Sequence, residues 1–569
     1  MLSYPLYTEK TNCQDCYKCV RHCPVKAIKV SDNSASILPE NCIFCGHCTE
    51  VCPVGAKKVV NDTKWVRHLI ESGEKVIASI APSWAAEFDM TDSEMVLQLK
   101  NLGFIHVSET AIGAEIITEK TGRMICSDDK RLHISSCCPS VVELIKKYYP
   151  EKEKNLIPLA SPFVAHGRFL RKYYGKGYRV VFIGPCIAKK KEASDYPDII
   201  DAALTFKELR DWMEVKSSDT YSEKAGARFV PHNASAGVVY PVDGGMISGL
   251  KKEGRDVSYM SFTGLKKVNE ILSTIEEEQL EGKVFLELMA CKEGCVNGPV
   301  SEKQISLVKK RQRILQRRRQ TEHSGTPAHL YSVNVPGILS KSGPVEVNKY
   351  SWDEIKEALE SVGKISEKDE LNCGGCGYES CRDFAEAILD GKAERSMCVS
   401  YMRKVAHNKA SVLLQRIPYG VVMFDENLKI IECNRIFASM LGEETQQIFD
   451  AKPGMNNADL SKLIGFSKLF SNFISGGGDD LEKDVRDGNN LFRVSCFAIQ
   501  KQKIACAIIN NLRSNDGNKE EVVRRARKVI RDNLATVQKV AFLLGENASE
   551  TEASLNAIVE SFDSGTLHE

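Results

Sequence analysis

Three cysteine-bearing segments of this chain each follow a short apolar run that is typical of a buried β-strand. The runs cover residues 131–134, 179–183 and 283–288 and are rich in β-branched or large apolar side chains. Because ligand sites of open α/β sheets form at the carboxyl ends of their strands, we expect the cysteines to converge on one crevice. Thiolates are soft ligands that suit an iron-sulfur centre. The sequence therefore predicts such a centre on four side chains: Cys138, Cys186, Cys291 and Cys295.

The three segments also resemble a known set of motifs. Residues 133–140 read HISSCCPS, residues 184–192 read GPCIAKKKE and residues 288–298 read LMACKEGCVNG. They resemble, in the same order, the signature motifs of FeFe hydrogenases, which have the forms TSCCPxW, MPCxxKxxE and ExMACxxGCxxGG. The resemblance extends over about residues 75–340 and includes Pro82 after a strand-like run. It implies a two-lobed α/β hydrogenase domain that interconverts H2 with protons and electrons.

The resemblance further implies an H-cluster, in which a 4Fe-4S cubane is bridged to a diiron centre carrying CO, CN and a dithiolate amine. The four cysteines named above would bind the cubane, and Cys295 would bridge to the diiron centre. Cys137 would relay protons, and Lys189 would pair with a cyanide, since a compact ammonium suits a buried anion. Pro82 and Met289 would line the diiron pocket. Without the other motifs, two adjacent cysteines would be interpreted as small core residues, because free cysteine is often buried.

Several positions depart from the pattern of that family. Gly184 stands where the second motif has Met, and Val141 stands where the first has Trp. Ile157 occupies the apparent position of a serine in the usual proton channel, and Glu119 is the nearest candidate for a channel glutamate. Loss of a thioether and a ring changes the packing and polarity around a cofactor, and isoleucine cannot pass a proton. These departures favour slow turnover, whereas the retained proton-relay cysteine favours catalysis.

Three functions follow from this balance. The one we favour is a hydrogenase of sensory type, which reports H2 or redox poise to another part of the chain. The second is a metabolic hydrogenase that exchanges electrons with ferredoxin. The third is a non-catalytic iron-sulfur redox sensor that lacks the diiron centre. The third is disfavoured because Cys295, Lys189 and Met289 would have no evident purpose without that centre.

Composition limits the remaining possibilities. A chain of 569 residues is too long for one core and predicts about three to five domains. Its 77 basic and 76 acidic residues give a net charge of +1, which offers no electrostatic case for binding nucleic acid or an anionic membrane. Neither a secretory signal pattern nor an apolar run of about 18 residues occurs, so we expect a cytoplasmic protein. In that compartment, 21 cysteines are more typical of metal ligands than of disulfides.

The amino-terminal part of the chain contains the pattern CxxCxxCxxxCP twice, which is typical of a ferredoxin with two 4Fe-4S clusters. In this pattern, three cysteines of one run and the fourth cysteine of the other run bind the same cluster. Structural zinc, the alternative, typically takes two separated CxxC pairs. The module also indicates an electron carrier such as ferredoxin as a partner. We predict one cluster on Cys13, Cys16, Cys19 and Cys52, and a second on Cys42, Cys45, Cys48 and Cys23.

A third group of cysteines follows a linker that includes a basic stretch at residues 309–319. We interpret this stretch as a solvated helix face rather than a nucleic-acid patch. The cysteines beyond it resemble the small four-cysteine iron-sulfur domain of several anaerobic electron-transfer proteins. Its glycines would let the backbone turn tightly round a cubane, and residues 384–389 would form a packing helix. A zinc knuckle is the alternative. The predicted ligands are Cys373, Cys376, Cys381 and Cys398.

The chain changes character after about residue 409. Residues 420–434 form an apolar run, an Asp-Glu-Asn turn and a second run, and a helical stretch follows at 435–441. This arrangement resembles the opening of a PAS domain, a sensory and dimerisation fold. Strands at 490–499 and 503–510 would complete its sheet. A generic α+β domain is the alternative.

The last part of the chain has a helical pattern. Apolar residues recur at steps of three and four over residues 522–544, and a second helix is predicted at about 549–562. The pair indicates a docking site for a signalling partner or a homodimer contact beside the PAS-like domain. The alternative is that these helices only cover the PAS-like sheet.

The overall prediction is a multidomain α+β chain. Its predicted parts are a two-cluster ferredoxin domain at 1–62, a hydrogenase catalytic domain at 70–345, a four-cysteine 4Fe-4S domain at 350–407, a PAS-like α+β domain at 409–515 and carboxyl-terminal helices at 518–569.

Overall fold

The structure is a computed structural model that describes residues 4–127, 129–216, 227–250, 257–321, 332–337, 341–488 and 490–512. The chain divides into two units, one formed by residues up to 351 together with 390–393, the other by 352–389 and the residues from 394 onward. The predicted carboxyl-terminal helices at 518–569 lie outside the described residues.

The first unit begins with a small module of short strands and helices around the two CxxCxxC loops. Strand β1 pairs antiparallel with β4, and β2 pairs antiparallel with β3. Each loop leads into a helix of one turn and a half. The elements are β1 (Leu6–Thr8), α1 (Lys18–His22), β2 (Ile28–Ser31), β3 (Ser34–Ile37), α2 (His47–Val51) and β4 (Lys57–Val59).

The rest of the first unit contains two parallel sheets, which confirms the α/β class predicted for this part of the chain. One sheet has the strand order β6-β5-β8-β9 and the other has the order β10-β11-β7. Its strands are β5 (Lys75–Ile80), β6 (His106–Glu109), β7 (Leu132–Ile134), β8 (Tyr178–Gly184), β9 (Ala202–Thr205), β10 (Val257–Thr263) and β11 (Lys283–Met289).

Helices cover the faces of both sheets. The run after Lys75 in β5 is buried throughout, as expected of a parallel strand that helices cover on both sides. The helices are α3 (Thr63–Glu71), α4 (Trp84–Glu87), α5 (Asp92–Asn101), α6 (Ala111–Ser127), α7 (Pro139–Tyr148), α8 (Pro162–Tyr174), α9 (Ala188–Asp195), α10 (Phe206–Lys216), α11 (Gly245–Leu250), α12 (Leu265–Thr274) and α13 (Leu307–Gln320).

Helix α13 corrects the prediction made for the basic stretch. The helix is present, but it is not simply a solvated face, because Lys310 and Arg317 are buried. The Lys310 Nζ lies 3.2 Å from a carboxylate oxygen of Glu87, and Arg317 forms an ion pair with Glu109. The carboxylates lie more than 200 positions away along the chain, so the local charge pattern could not reveal them.

The second unit combines the four-cysteine region with a five-stranded antiparallel sheet of order β13-β12-β16-β15-β14. The elements are α14 (Trp352–Glu360), α15 (Cys381–Leu389), α16 (Val399–Arg416), β12 (Gly420–Asp425), β13 (Ile430–Cys433), α17 (Arg435–Met440), α18 (Glu443–Ala451), α19 (Leu460–Leu463), α20 (Ser467–Gly476), β14 (Asp480–Asp487), β15 (Asn490–Gln500) and β16 (Ile504–Asn511).

The buried amide of Asn434 joins the start of this sheet to the helix that follows. Its Oδ1 accepts hydrogen bonds from the backbone N–H groups of Val421 and Phe437, each at 2.9 Å. Its Nδ2 donates to the carbonyl of Tyr419 at 2.7 Å. The predicted strands of this region are confirmed, while β14, which reads as a polar loop in the sequence, was not predicted.

Among the helices in the described ranges, none combines the length and the apolar character that a bilayer crossing requires.

Candidate active site

The strand ends of the two parallel sheets bring the cysteines of the three opening segments together. Pro139 is the first residue of α7 and Cys138 caps that helix, so the Cys-Cys-Pro sequence fixes where the cysteine lies. Cys186 follows the end of β8, and Cys291 follows the end of β11. Strands β7 and β11 are parallel neighbours, so their carboxyl ends meet at the same edge.

The four cysteines predicted as cubane ligands lie close enough to influence one another electrostatically. Burial raises the pKa of Cys291, and the charges of Cys295, Cys186 and Cys138 add to the rise. Burial also raises the pKa of Cys186 to about 11, with Cys138 as the next contribution. Metal-free thiols in this environment stay protonated at neutral pH. Cluster binding must therefore release their protons.

The donor set consists of four thiols, which is the chemical kind of ligand set that a 4Fe-4S cubane takes. A structural zinc ion needs several ligands at about 2.0–2.3 Å from one point. In the described part of the chain, no three His, Cys, Asp or Glu side chains are grouped in a way that could hold one metal ion. A 4Fe-4S cluster takes one thiolate at each of four iron atoms, so its cysteines stand further apart.

Cys137 lies beside this group as a protonated thiol. Burial raises its pKa to about 12; the hydroxyl of Ser135 opposes the rise, and the charge of Glu287 reinforces it. Its Sγ lies 3.7 Å from the Sδ of Met246. A thiol that keeps its proton at neutral pH can donate one to a neighbouring base.

Two hydroxyl groups extend from Cys137 towards α6, and sequence analysis missed both of them. The side chains of Cys137 and Tyr240 influence each other's pKa, and the Tyr240 Oη lies 2.7 Å from the Oγ1 of Thr118. Burial raises the pKa of Tyr240, so its hydroxyl is neutral and can both donate and accept. No local motif marks either residue, because they are more than 100 positions apart.

Glu287 is a further ionisable group of this site. Burial raises its pKa to about 7, against the opposing hydrogen bonds from the backbone N–H groups of Met246 and Ile247 at 3.2 and 3.3 Å. Its charge also acts on Cys137 and Cys295. The sequence did carry a signal for it, since it is the glutamate of the ExMAC motif.

Lys189 is buried beside the same cysteines. Its Nζ donates to the Oγ of Ser161 at 2.8 Å and to the Oε2 of Glu192 at 2.7 Å. Burial alone would lower its pKa, but the charges of Glu192 and of Cys186 outweigh burial, so the pKa of Lys189 is raised. The ammonium is therefore a permanent charge. Glu192, the last residue of the second motif, was not singled out from the sequence.

The residues that depart from the family pattern are well packed. A Cβ built on Gly184 would lie 2.5 Å from the ring of Phe182, so a larger side chain at this position would clash with that ring. Val141 is fully buried in α7, and Ile157 is 3% exposed in the apolar core. Glu119, the nearest candidate for a channel glutamate, forms an ion pair with Arg123 on α6.

The remaining residues predicted for the diiron pocket lie where the two sheets end. Pro82 is buried two positions after β5, and Met289 is the last residue of β11 and is 6% exposed. Strands β5 and β8 are parallel neighbours, which places Pro82 at the same sheet edge as Cys186.

The amino-terminal cysteines form the two crossed sets that the spacing predicts. Burial raises the pKa of Cys19 to about 11, and its cysteine neighbours are Cys16, Cys13 and Cys52. The neighbours of Cys45 are Cys23, Cys42 and Cys48. Backbone N–H groups already point at several of these sulfurs, which is typical of cluster thiolates. The donors are Ala27 to Cys23 at 3.3 Å, Ala35 to Cys13 at 3.5 Å, Phe44 to Cys42 at 3.3 Å and Ala56 to Cys52 at 3.2 Å.

The second of these sets lies next to the opening group of cysteines. The charge of Cys45 is among those that raise the pKa of Cys291. The adjacent Gly46 has a φ of +78°, and a Cβ there would lie 2.4 Å from Ile187 and 2.8 Å from Pro299. Both residues follow predicted cubane ligands, so the ferredoxin-like loop packs directly against them.

The four-cysteine region of the second unit brings at least three of its cysteines together. Burial raises the pKa of Cys376 to about 11, and the charges of Cys398 and Cys373 contribute to it. Cys381 is buried at the start of α15, the helix predicted after the glycines. The Oδ1 of Asn372 accepts its backbone N–H at 2.7 Å.

Three family models match separate stretches of the chain. The family described as iron only hydrogenase large subunit, C-terminal domain, matches residues 74–299. A 4Fe-4S dicluster domain matches residues 5–53, and an Fe-S cluster family matches residues 369–400. Iron hydrogenase 1 of Clostridium pasteurianum is 25% identical over 298 residues, which are 41% of this chain and 51% of that protein. The chain thus spans about half the length of this relative.

Solved structures give two further similarities. A variant of the FeFe hydrogenase HydA1 of Chlamydomonas reinhardtii aligns over 45% of this chain and 88% of its own, with 16% identity and a TM-score of 0.36. The PAS domain of an HTR-like protein of Haloarcula marismortui aligns over 20% of this chain and 97% of its own, with 15% identity and a TM-score of 0.16.

The predicted resemblance to FeFe hydrogenases is confirmed by the family match over residues 74–299 and by the Clostridium relative. The match over residues 5–53 confirms the predicted ferredoxin-like module. The chain is therefore an FeFe-hydrogenase-like iron-sulfur protein, with a 4Fe-4S dicluster domain in front of an iron-only hydrogenase large-subunit domain.

Proposed function

We propose that this protein interconverts H2 with protons and electrons at an H-cluster and acts as a sensor of H2 or redox poise. The observation that carries the proposal is the convergence of the four cysteines beside the protonated Cys137 and the buried ammonium of Lys189. Cys138, Cys186, Cys291 and Cys295 would hold the cubane, with Cys295 as the bridge to the diiron centre. A single iron-sulfur cluster would need neither the lysine nor the second thiol.

The chain's own residues account for the needs of such a centre. When bound, the diiron centre supplies a Lewis-acidic iron and a pendant amine at which H2 is formed or split. Cys137 would hold a proton for it, and Lys189 would offer an ammonium to an anionic ligand such as cyanide. Glu192 and Ser161 keep that ammonium in place. Met289 and Pro82 would line the pocket.

The proposed activity can be measured directly. The full chain, loaded with a synthetic diiron cofactor, is expected to produce H2 from a chemically reduced one-electron dye. Failure to form H2 after complete loading would reject the enzymatic part of the proposal and favour the non-catalytic redox sensor.

We propose that protons leave Cys137 through Tyr240 and Thr118, because the isoleucine at position 157 cannot carry them. Replacing Tyr240 with phenylalanine keeps the ring but removes the hydroxyl that links Cys137 to Thr118. H2 production is expected to fall by about 10²-fold, the lower limit for a general acid–base group. The matched control is Y173F, since the Tyr173 side chain is 53% exposed on α8. Equal rates in Y240F and wild-type protein would contradict this route.

The sensory part of the proposal rests on the second unit and on the altered pocket. Gly184 and Ile157 replace residues that serve fast turnover in the family, and the antiparallel sheet of β12 to β16 resembles a PAS domain. Such a module would pass a signal to a partner protein through the carboxyl-terminal region and could form a homodimer contact. The ferredoxin-like domain indicates an electron-carrier partner.

Deletion of residues 409–569 separates the sensory role from the metabolic one. A sensor is expected to keep H2 production but to lose its influence on hydrogenase expression in the cell. If both properties stay normal after the deletion, the sensory role is rejected and the metabolic hydrogenase is favoured. The retained Cys137 is the observation that supports this second candidate.

A further inference from the structure

Lys57 is a buried lysine at the first position of β4, between the two sets of ferredoxin-like cysteines. Its side chain is 4% exposed. The Nζ donates to the Oγ1 of Thr8 at 2.8 Å and to the carbonyl oxygen of Ala35. Both acceptors are neutral. Within the ranges that the structure describes, no carboxylate lies within 4.0 Å of this ammonium.

A buried ammonium with only neutral acceptors is unfavourable unless a negative charge lies nearby. The other lysine buried near these cysteines shows the usual solution. Lys147 forms an ion pair with Glu143 at 3.0 Å while it donates to the carbonyl of Cys42 at 2.7 Å. No carboxylate has this role for Lys57 in the described ranges, and its charge acts on the predicted cluster thiolates Cys19 and Cys48.

The contacts of Lys57 lead directly to the predicted ligands of the first cluster. The backbone of Ala35 joins the two groups. Its carbonyl oxygen accepts a hydrogen bond from Lys57, and its N–H donates to the Sγ of Cys13 at 3.5 Å. The preceding residue, Ala56, donates its N–H to the Sγ of Cys52 at 3.2 Å. The ammonium also acts electrostatically on Cys19 of the first set.

The same ammonium reaches the second set. Its charge lowers the pKa of Cys48, although the charges of Cys42 and Cys23 have larger effects on that pKa. In the first set, by contrast, Lys57 is the largest charge that acts on Cys19. The charge of Lys57 thus acts on both sets, and its backbone contacts lead to Cys13 and Cys52 of the first set.

We propose that Lys57 is a fixed positive charge shared by the two ferredoxin clusters, which raises the reduction potential of both and of the first cluster most. Reduction adds one electron to a cluster that is already anionic, and cluster potentials depend on net charge and on hydrogen bonds to the sulfurs. A nearby ammonium favours the reduced form. This inference rests on the 4Fe-4S dicluster domain and not on the proposed H2 chemistry, so it holds even if no H2 is formed.

The test is a redox titration of the full chain, reconstituted with iron and sulfide only and followed by electron paramagnetic resonance. K57Q keeps a donor for Thr8 and Ala35 but removes the charge. At a fixed applied potential, the ratio of reduced to oxidised first cluster is expected to fall about tenfold, which corresponds to about 59 mV for one electron. The second cluster is expected to shift in the same direction by less. The other cubanes serve as internal references.

The matched control is K58Q, since Lys58 is the next residue, is half-exposed and pairs with Glu9 at 3.7 Å. Its titration should coincide with that of wild-type protein, as should that of K57R, which keeps the charge. Unchanged potentials in K57Q would overturn the proposal. If K57Q and K57M both fail to assemble clusters while K57R assembles them, the requirement for charge is supported. If K57R fails as well, the side chain has a purely steric role and the proposal is rejected.

Discussion

Replacement of Cys137 with alanine is expected to lower the rate of H2 production by about 10²–10⁴-fold, the range that a general acid–base group contributes. The thiol keeps its proton at neutral pH because burial raises its pKa to about 12. It also connects the predicted diiron pocket to the hydroxyls of Tyr240 and Thr118. Alanine removes the thiol that would pass protons between the centre and these hydroxyls, so this route is interrupted.

The measurement compares H2 production from a reduced dye by wild-type and C137A proteins loaded with the same synthetic diiron cofactor. Infrared spectra of both proteins establish equal loading, which separates proton transfer from cofactor binding. The matched control is C126A, because Cys126 is an exposed cysteine of α6 that lies outside the predicted ligand sets. A C137A protein that is fully loaded and as active as wild type would show that the protons take another route.

Replacement of Arg317 with methionine is expected to lower the free energy of unfolding by about 3–5 kcal/mol, the cost of breaking a buried ion pair from one side. Arg317 is 6% exposed and binds both Glu109 and Asp92. Burial raises the pKa of Glu109, and the guanidinium of Arg317 opposes that rise. Without the guanidinium, the Nε1 of Trp84 at 3.2 Å is the remaining side-chain donor to the Glu109 carboxylate.

This prediction is tested by denaturant unfolding of the full chain, followed by tryptophan fluorescence. Trp84 reports on the network because the guanidinium carbon of Arg317 lies 5.0 Å from the centre of its ring. The matched control is R319M, which removes an exposed arginine from the same helix. The double variant R317M/E109Q should recover part of the loss, because it no longer leaves a buried charge without its partner. Equal unfolding of R317M and R319M would show that the buried network does not hold α13 in place.

The candidate ligands could be predicted from the sequence because each is part of a short motif. The CxxCxxC runs and the Cys-Cys-Pro sequence place their cysteines by local backbone geometry, and the strands before them read as short apolar runs. Strands β15 and β16 could be predicted for the same reason, because their apolar residues lie close together in the sequence. Strand β14 escaped prediction because six of its eight residues are charged, so an edge strand resembles a loop.

The missed residues of the site depend on contacts between distant parts of the chain. Tyr240 lies near Cys137 although the two are far apart in the sequence, and Thr118 contacts Tyr240 from a helix 122 positions away. The basic pattern of residues 309–319 predicts a solvated Arg317, because its partner Glu109 is 208 positions away and cannot be recognised from charge patterns. Glu287 and Glu192 are exceptions among the missed residues, because both belong to the signature motifs and could have been named from them.

The central claim is that Cys138, Cys186, Cys291 and Cys295 hold a centre to which a diiron unit is bridged. Infrared spectroscopy of the full chain, reconstituted with iron and sulfide and then loaded with a synthetic diiron cofactor, tests it most directly. We expect CO and CN stretching bands that persist after free cofactor is removed and that are absent from C295S, which lacks the bridging thiolate. If wild-type protein retains no CO and CN bands after loading, the hydrogenase assignment of this site is contradicted.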